Sequence, residues 1–251
     1  MVELRSLAQS LGVDYIGFVR AEDYDDQAPP GHRLGDWLPS ARTGVVIGLR
    51  LLDAVFQNFP TLRKEYTALF HTVNYRLNDA LLQLGKFLQT RGHQALPIFY
   101  KEVSGWNLER RSALALKLAR PFVALPALKR AVDPSLWGVV SSKHLAVAAG
   151  LGELGVSDLL LAPGAGARAR WGALLTDAEI HPSGPAPPLN LCRPEECSYA
   201  CARSCPVEAI PEQKGGINKA RCLQYYLELG IPSLDGLRCG LCVAKCPAWK
   251  W

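Results

Sequence analysis

The sequence lacks any uninterrupted apolar stretch of the ~18 residues that a membrane-spanning helix requires. Its first twelve residues, MVELRSLAQSLG, place Leu4, Leu7 and Leu11 at helical spacing with charged residues between them. They lack the basic region and the apolar core of a signal peptide. We therefore expect no membrane association and a cytoplasmic location.

A run of basic residues is also missing. The 251 residues include 28 Lys and Arg and 23 Asp and Glu, which gives a formal net charge of +5, and the basic residues are scattered. Scattered charges usually form a solvated surface. The composition therefore does not favour a nucleic-acid-binding protein.

Cysteine is absent from the first 191 residues, and all eight cysteines then lie between Cys192 and Cys246. Disulfides are rare in the cytoplasm, where thiols are kept reduced. Crowded cysteines in a cytoplasmic chain therefore indicate a metal site.

The cysteines form two motifs that both end in C-x₃-C-P, with Pro206 after the first motif and Pro247 after the second. In two-cluster ferredoxins the cysteine before this proline binds the cluster of the other motif. We therefore predict two [4Fe-4S] clusters. Site 1 comprises Cys192, Cys197, Cys201 and Cys246; site 2 comprises Cys205, Cys222, Cys239 and Cys242.

Zinc is the alternative metal, because Cys₄ zinc sites are common and Cys239-x₂-Cys242 would suit one. The doubled C-P ending favours iron–sulfur clusters, whose thiolate ligands saturate the irons and whose work is electron transfer. The first motif is spaced C-x₄-C-x₃-C, which departs from the C-x₂-C-x₂-C of bacterial ferredoxins.

Helix and strand signals alternate in residues 1–180, as is typical of an α/β (or α+β) domain. We predict helices at 2–11 and within 62–90, and strands at 15–19, 45–49 and 95–100. Residues 103–131 are interpreted as an insertion with helical turns. Four prolines make 181–190 a linker, and 191–251 follow as a ferredoxin-like module.

The segment SSKHLAVAAGLGELG, residues 141–155, predicts a short helix that enters a glycine-rich turn, with strands at 158–161 and 171–176 behind it. Gly150, Gly152 and Gly155 permit positive φ and a close approach of the backbone. This pattern fits a cofactor-binding loop and equally a tight turn.

Several blocks resemble the iron–sulfur family that includes epoxyqueuosine reductase and, more distantly, the corrinoid-dependent reductive dehalogenases. They are GVDYIGFV, LPSARTGVVIGL, KHLAVAAGLGELGVSDLLLAP, WGALLTD and RCLQYY, in the family's order. The resemblance implies an α/β domain of the cobalamin-processing type, related to flavin reductases. It also implies a cobalamin beside one cluster, reduced by single electrons from a donor such as a ferredoxin or flavodoxin.

The resemblance also implies site residues. We expect the cofactor against Ser141, Lys143, His144, the three glycines and Asp177, which ends a strand as ligand-binding residues do in open α/β sheets. Lys143 and His144 are candidate proton donors. Helix capping and turn formation are the ordinary alternatives for these side chains.

Two departures from the family bear on the substrate. Family members that act on tRNA place an acid where this sequence has Leu136 and Trp137, so Asp133 becomes a further candidate catalytic residue. The sequence ends at Trp251, soon after the second C-P, which we interpret as a short form without the family's C-terminal extension. We therefore expect a small-molecule substrate and do not favour tRNA.

Three functions fit these features. The first is a cobalamin-dependent iron–sulfur reductase that cleaves an epoxide or an organohalide. The second is a flavin-dependent reductase on the same scaffold, since one fold can serve both cofactors. The third is an electron-transfer or corrinoid-handling protein without a substrate of its own.

Overall fold

The computed structural model describes residues 2–100, 138–184, 188–212, 216–229 and 237–251. The α/β part contains helices α1 (Val2–Ser10), α2 (Ala21–Asp25), α3 (Leu34–Trp37), α4 (Arg63–Gln89) and α5 (Ser142–Ala148). Its strands are β1 (Tyr15–Arg20), β2 (Thr43–Arg50), β3 (Ala95–Ile98), β4 (Glu153–Leu154), β5 (Leu160–Leu161) and β6 (Ala169–Thr176). The cysteine-rich part contains α6 (Ala200–Arg203), α7 (Lys219–Glu228) and α8 (Leu241–Lys245). Short 3₁₀ helices lie at Asp53–Phe56 and Pro247–Lys250.

Four strands form one sheet in the order β1-β2-β6-β3, and every neighbouring pair is antiparallel. In the middle of β2, Val46 pairs with Gly17 of β1 and with Ala173 of β6. The first six residues of β2 are buried, as expected for a strand covered on both faces. Strands β4 and β5 form a separate two-stranded ribbon.

Helices cover both faces of the large sheet. On one face, α1 and α4 bury a leucine stripe, with Leu77, Leu81 and Leu84 packed against Phe18 and Leu174. These leucines recur every three to four residues, which keeps them on one side of α4. On the other face, α2, α3 and α5 pack with residues that include Tyr24, Leu34 and Leu145. The candidate site lies on this second face, beside α5.

The predicted α/β domain is confirmed as a mixed arrangement of a sheet and helices, with two shorter strands than expected. The chain leaves β3 after Ile98, where the Tyr100 amide donates to Asn78 Oδ1 at 2.7 Å instead of continuing the ladder. Only Leu160–Leu161 of the predicted 158–161 strand pairs, because Asp158 has φ +57 in a turn. The predicted insertion at 103–131 lies outside the described residues.

The described part of the predicted linker is attached to the sheet edge. The amide of Ser183 donates to Phe18 O at 2.9 Å, and its hydroxyl accepts from the Phe18 amide at 3.0 Å and from Arg5 at 3.0 Å. The cysteine-rich part packs on the α/β part through a shared apolar cluster that includes Phe56 and Val243. Among the residues described, no helix is both long and apolar enough to cross a bilayer.

Candidate functional site

A cavity of about 610 Å³ lies beside α5, between the α/β part and helix α7. Its volume is in the range of organic ligand sites, roughly 300–1,000 Å³. Small or apolar side chains and polar groups alternate around its wall. The lining comprises Tyr24, Gln27, Ala28, Pro29, His32, Gly138, Ser141, Lys143, His144, Val147, Ala148, Asp158 and Lys219.

Three of the predicted site residues, Ser141, Lys143 and His144, lie together on this wall. Ser141 caps α5, and its hydroxyl lies 2.6 Å from His144 Nδ1. Lys143 Nζ donates to the Asp158 carbonyl at 3.0 Å and is ion-paired with the Asp158 carboxylate. Burial, and then the Lys143 charge, lower the pKa of His144, while Asp158 opposes the shift. The wall therefore offers a hydroxyl, an ammonium group and an imidazole to a bound molecule.

The three glycines of the predicted loop build the turn behind this wall. Gly150 has φ +71 and ends α5, where left-handed glycine is common. A Cβ on Gly152 would lie 2.2 Å from the carbonyl oxygen of Leu161, so this glycine permits close backbone packing against β5. Gly155 faces Leu161 and the Cys192 sulfur, 3.5 Å from its ideal Cβ position. The structure thus places Gly152 against protein backbone, contrary to the expectation that a flat cofactor lies on it.

Asp177 does not share the cavity wall. Its carboxylate accepts from the Gln94 amide at 2.9 Å and lies 3.3 Å from His93 Nδ1, in the loop that enters β3. The expectation relied on the carboxyl ends of parallel strands, whereas this sheet is antiparallel and each edge mixes strand starts with strand ends. Asp177 is the turn-forming aspartate of the ordinary alternative. Asp133, Leu136 and Trp137 lie outside the described residues.

The thiols lie in two sets of four. Cys192, Cys197, Cys201 and Cys246, the residues of site 1, line one small cavity. Burial raises the pKa of Cys201 to about 11, and charge on the other three site 1 thiols adds to the rise. Burial also raises the pKa of Cys222 to about 11, with Cys239 and Cys205 of site 2 adding to it. Burial raises the pKa of Cys242, and charge on the other three site 2 thiols and on Cys201 adds to the rise. The two sets are adjacent, because Cys201 of site 1 and Cys205 and Cys242 of site 2 belong to one packed cluster.

These thiols have the donors and the burial that an anionic cluster needs. The Val156 amide donates to Cys192 Sγ at 3.4 Å, and the Ala209 amide donates to Cys205 Sγ at 3.2 Å. Such N–H···S bonds tune iron–sulfur sites. Buried thiols with raised pKa values stay protonated until a metal displaces the proton, so the residues fit a cluster.

Within the described ranges, no group of three or more His, Cys, Asp or Glu side chains is arranged to hold a single metal ion. A cubane cluster binds each thiolate to a different iron, so its ligands stand further apart than those of one zinc ion.

Site 2 has surroundings that the sequence did not indicate. The Tyr66 ring lies flat against Gly240, whose ideal Cβ would be 2.4 Å from it. Burial raises the pKa of Tyr66 and of Tyr226, and both side chains interact with Cys239 and Cys242. Arg170, on β6, interacts with both tyrosines. One sequence feature could have indicated these side chains. Arg170 lies inside the otherwise apolar strand ARWGALLT, where a charged residue is rarely buried without an interacting group.

The cavity adjoins the cysteine sites through two short connections. Lys219, which lines the cavity, precedes the site 2 ligand Cys222 by three residues on α7, less than one helical turn. Asp158 lies two residues beyond Val156, whose amide bonds the site 1 sulfur. The cavity wall is therefore connected along the chain to both thiol sets.

The chain combines a mixed α/β domain, a cysteine-rich segment and a cavity, and comparisons with known proteins support a reductase. No protein-family model matches the chain. The chain is 28% identical over 259 residues to an epoxyqueuosine reductase of Gloeobacter violaceus, covering 98% of this chain and 75% of that protein. The resemblance to the family of epoxyqueuosine reductases and reductive dehalogenases is thus confirmed.

Solved structures share the fold. The epoxyqueuosine reductase of Streptococcus thermophilus superposes with a TM-score of 0.61 at 17% identity, covering all of this chain and 66% of that one. A catabolic reductive dehalogenase gives a TM-score of 0.65 at 18% identity, covering 99% of this chain and 31% of that one. The chain therefore spans just under two thirds of the first reductase structure and under a third of the dehalogenase.

Proposed function

We propose that this chain is an iron–sulfur reductase in which [4Fe-4S] clusters at sites 1 and 2 pass electrons to a cobalamin in the cavity. The reaction is a reductive cleavage of the epoxide or organohalide type. The observation that carries the proposal is that two sets of four thiols lie next in the chain to residues that line an open cavity, with Lys219 three residues before Cys222 and Asp158 two residues after Val156.

The cavity wall suits a broad, flat cofactor with polar edges. Ala28, Pro29 and Ala148 offer small or flat surfaces, while Gln27 and Lys143 offer hydrogen-bond donors for the amides at a corrin edge. A cobalamin would supply a reducible cobalt, and the clusters would supply single electrons. One structural neighbour is a reductive dehalogenase whose structure suggests a mechanism for B12-dependent dehalogenation, which supports this cofactor.

His144 is the proton donor that the wall favours. Its Nδ1 is occupied by the Ser141 hydroxyl, so Nε2 is the ring nitrogen that faces a bound molecule. Lys143 is committed to Asp158 and acts by holding that loop and by setting the charge beside the imidazole. A lowered pKa makes a protonated imidazole a stronger acid, which suits proton donation.

The substrate belongs to one of two classes. The first is a small epoxide or organohalide. A related epoxyqueuosine reductase is known in complex with an epoxyqueuosine-modified tRNA stem loop, so a tRNA base remains a candidate. The electron donor that we propose is a ferredoxin or a flavodoxin.

An anaerobic purification, followed by metal analysis and absorption spectra with added cobalamin or flavin mononucleotide, tests the proposal. We expect about eight irons and eight sulfides per chain and tight binding of cobalamin. Two zincs without sulfide would overturn the cluster assignment. Binding of flavin alone would favour the flavin-dependent reductase, and a full set of clusters with neither cofactor would favour the electron-transfer protein.

The cavity assignment has its own test. Ala148→Trp fills the wall beside α5 and should abolish cobalamin binding while leaving the iron content unchanged. Glu179→Gln, in a groove at the far end of β6, is the matched control and should leave both unchanged. Cobalamin binding that survives Ala148→Trp would place the cofactor elsewhere.

A further inference from the structure

Arg170 is a partly buried arginine that contacts no carboxylate among the described residues. Its Nε donates to Asn74 Oδ1 at 3.3 Å, and its guanidinium lies 4.4 Å from the centre of the Phe70 ring. A buried charge without a partner of opposite sign costs several kcal/mol. Stacking on an aromatic face offsets only part of this cost, by about 2 kcal/mol where the pair is removed from water.

A second arginine lies beside the first. Arg238 precedes the site 2 ligand Cys239, and its guanidinium lies 4.7 Å from the centre of the same Phe70 ring. It also donates to the Tyr100 hydroxyl at 3.1 Å. Burial lowers the pKa of Arg170, and the like charge of Arg238 adds to the shift, so Arg238 does not compensate the charge of Arg170.

A series of contacts joins Arg170 to the loop of site 2. The Phe70 ring, on which Arg170 stacks, has its centre 6.3 Å from the centre of the Tyr66 ring. The Tyr66 ring is pressed against Gly240, inside the loop that carries two ligands of site 2. Four thiolates give a cluster net negative charge, which increases when an electron is added.

In the described part of the chain, two arginines near site 1 are each paired with an acid. Arg193, beside Cys192, is exposed and lies 3.5 Å from Glu196. Arg168 is buried near Trp249, but it is paired with the Asp53 carboxylate at 2.9 Å. Of Arg168, Arg170 and Arg193, only Arg170 contacts no carboxylate of the described residues.

We propose that Arg170 sets the reduction potential of the site 2 cluster, as a positioning residue whose positive charge stabilises the reduced state. The inference rests on the proposed cluster at site 2. One electron enters the cluster from the donor, no bond is made or broken, and the added negative charge is attracted to the guanidinium. Arg170 thus makes site 2 easier to reduce than its thiolates and burial alone would allow.

An anaerobic redox titration monitored by paramagnetic resonance tests the inference on the chain with both clusters. The signal of site 2 is identified as the one that Cys222→Ala removes. Arg170→Gln should lower the equilibrium constant for reducing site 2 about tenfold, which is ~59 mV for a one-electron couple. Site 1 should not shift. Arg170→Lys keeps the charge and should remain near the wild-type potential.

Arg193→Gln is the matched control, because it removes an exposed and paired arginine beside the other cluster. It should leave site 2 unchanged. If Arg170→Gln leaves site 2 unchanged, or shifts both clusters equally, the inference fails. If Arg170→Gln fails to load site 2 while Arg170→Lys loads it, the charge is required and the inference stands. If both variants fail to load, Arg170 acts through packing and the inference fails. A wild-type chain without a site 2 cluster would instead refute the proposed function.

Discussion

The titratable side chains on the cavity wall and those around site 2 have pKa values that are shifted in different directions. On the wall, the Lys143 ammonium is balanced by Asp158, and the pKa of His144 is lowered toward values where an imidazole donates a proton readily. Around site 2, burial raises the pKa of Tyr66 and Tyr226, so both phenols stay protonated at neutral pH. The first region is suited to moving protons and the second to moving electrons without them.

The largest effect that would test this division is the loss of one cluster. Cys205→Ala should remove about half of the iron, because the crossover pattern assigns Cys205 to site 2. Paramagnetic resonance should show that the site 1 signal persists. Loss of the signal assigned to site 1, with the other intact, would reverse the ligand assignment.

The close packing of Tyr66 on the site 2 loop predicts a second effect. Gly240 has φ +65 and no room for a Cβ, so Gly240→Ala should cost about 1–2 kcal/mol for the backbone and about 1–3 kcal/mol for overpacking. Gly92→Ala is the matched control, because Gly92 has φ +83 with nothing within 4 Å of its ideal Cβ. Thermal unfolding of the two variants should differ, at about 2–4 °C per kcal/mol. Equal melting temperatures would show that the Tyr66 ring moves aside without a loss of stability.

On the cavity wall we expect a smaller electrostatic effect. Lys143→Gln removes a cation that lowers the pKa of His144 and releases Asp158, which raises it. The pKa of His144 should therefore rise, and more of the imidazole should be protonated at a given pH. An NMR titration of the histidines measures this shift, with His93 and His181 as internal controls. An unchanged or lowered pKa would contradict the assigned geometry.

For site 2 we expect no pH effect at all. Between about pH 6 and pH 9 neither Tyr66 nor Tyr226 should change its protonation state, since burial raises both pKa values above the ordinary 10.0. The site 2 potential should therefore stay constant across this range in a redox titration. A slope near 59 mV per pH unit would mean that one proton accompanies each electron.

Local pattern was enough to predict the long elements. Helix α4 was expected within 62–90 and spans Arg63–Gln89, because its apolar residues repeat at helical spacing from Leu69 to Leu88. Strands β1 and β2 were expected at 15–19 and 45–49 and extend one or two residues further. The two-residue strand β4 was missed, since two residues carry no periodic signal.

Non-local geometry could not be predicted in the same way. The sequence did not reveal that β6 lies between β2 and β3 with antiparallel neighbours, and the argument for Asp177 failed for that reason. Gly152 was singled out correctly as a point of close approach, but its neighbour is the Leu161 carbonyl. The contacts of Arg170 with Phe70 and Asn74 join residues about a hundred positions apart, and no short motif encodes them.

The hydrogen bond from the Val156 amide to Cys192 Sγ makes one backbone amide of the α/β domain sensitive to changes in the cysteine-rich part of the chain. A backbone amide cannot be removed by changing a side chain, and its exchange with solvent deuterium is slow only while its acceptor holds it. If site 1 loses its cluster, Cys192 changes from a thiolate to a neutral thiol, and the hydrogen bond from this one amide weakens while the β1–β2 ladder remains intact. Deuterium uptake at Val156 would then record the state of site 1 from within a domain that holds none of its ligands.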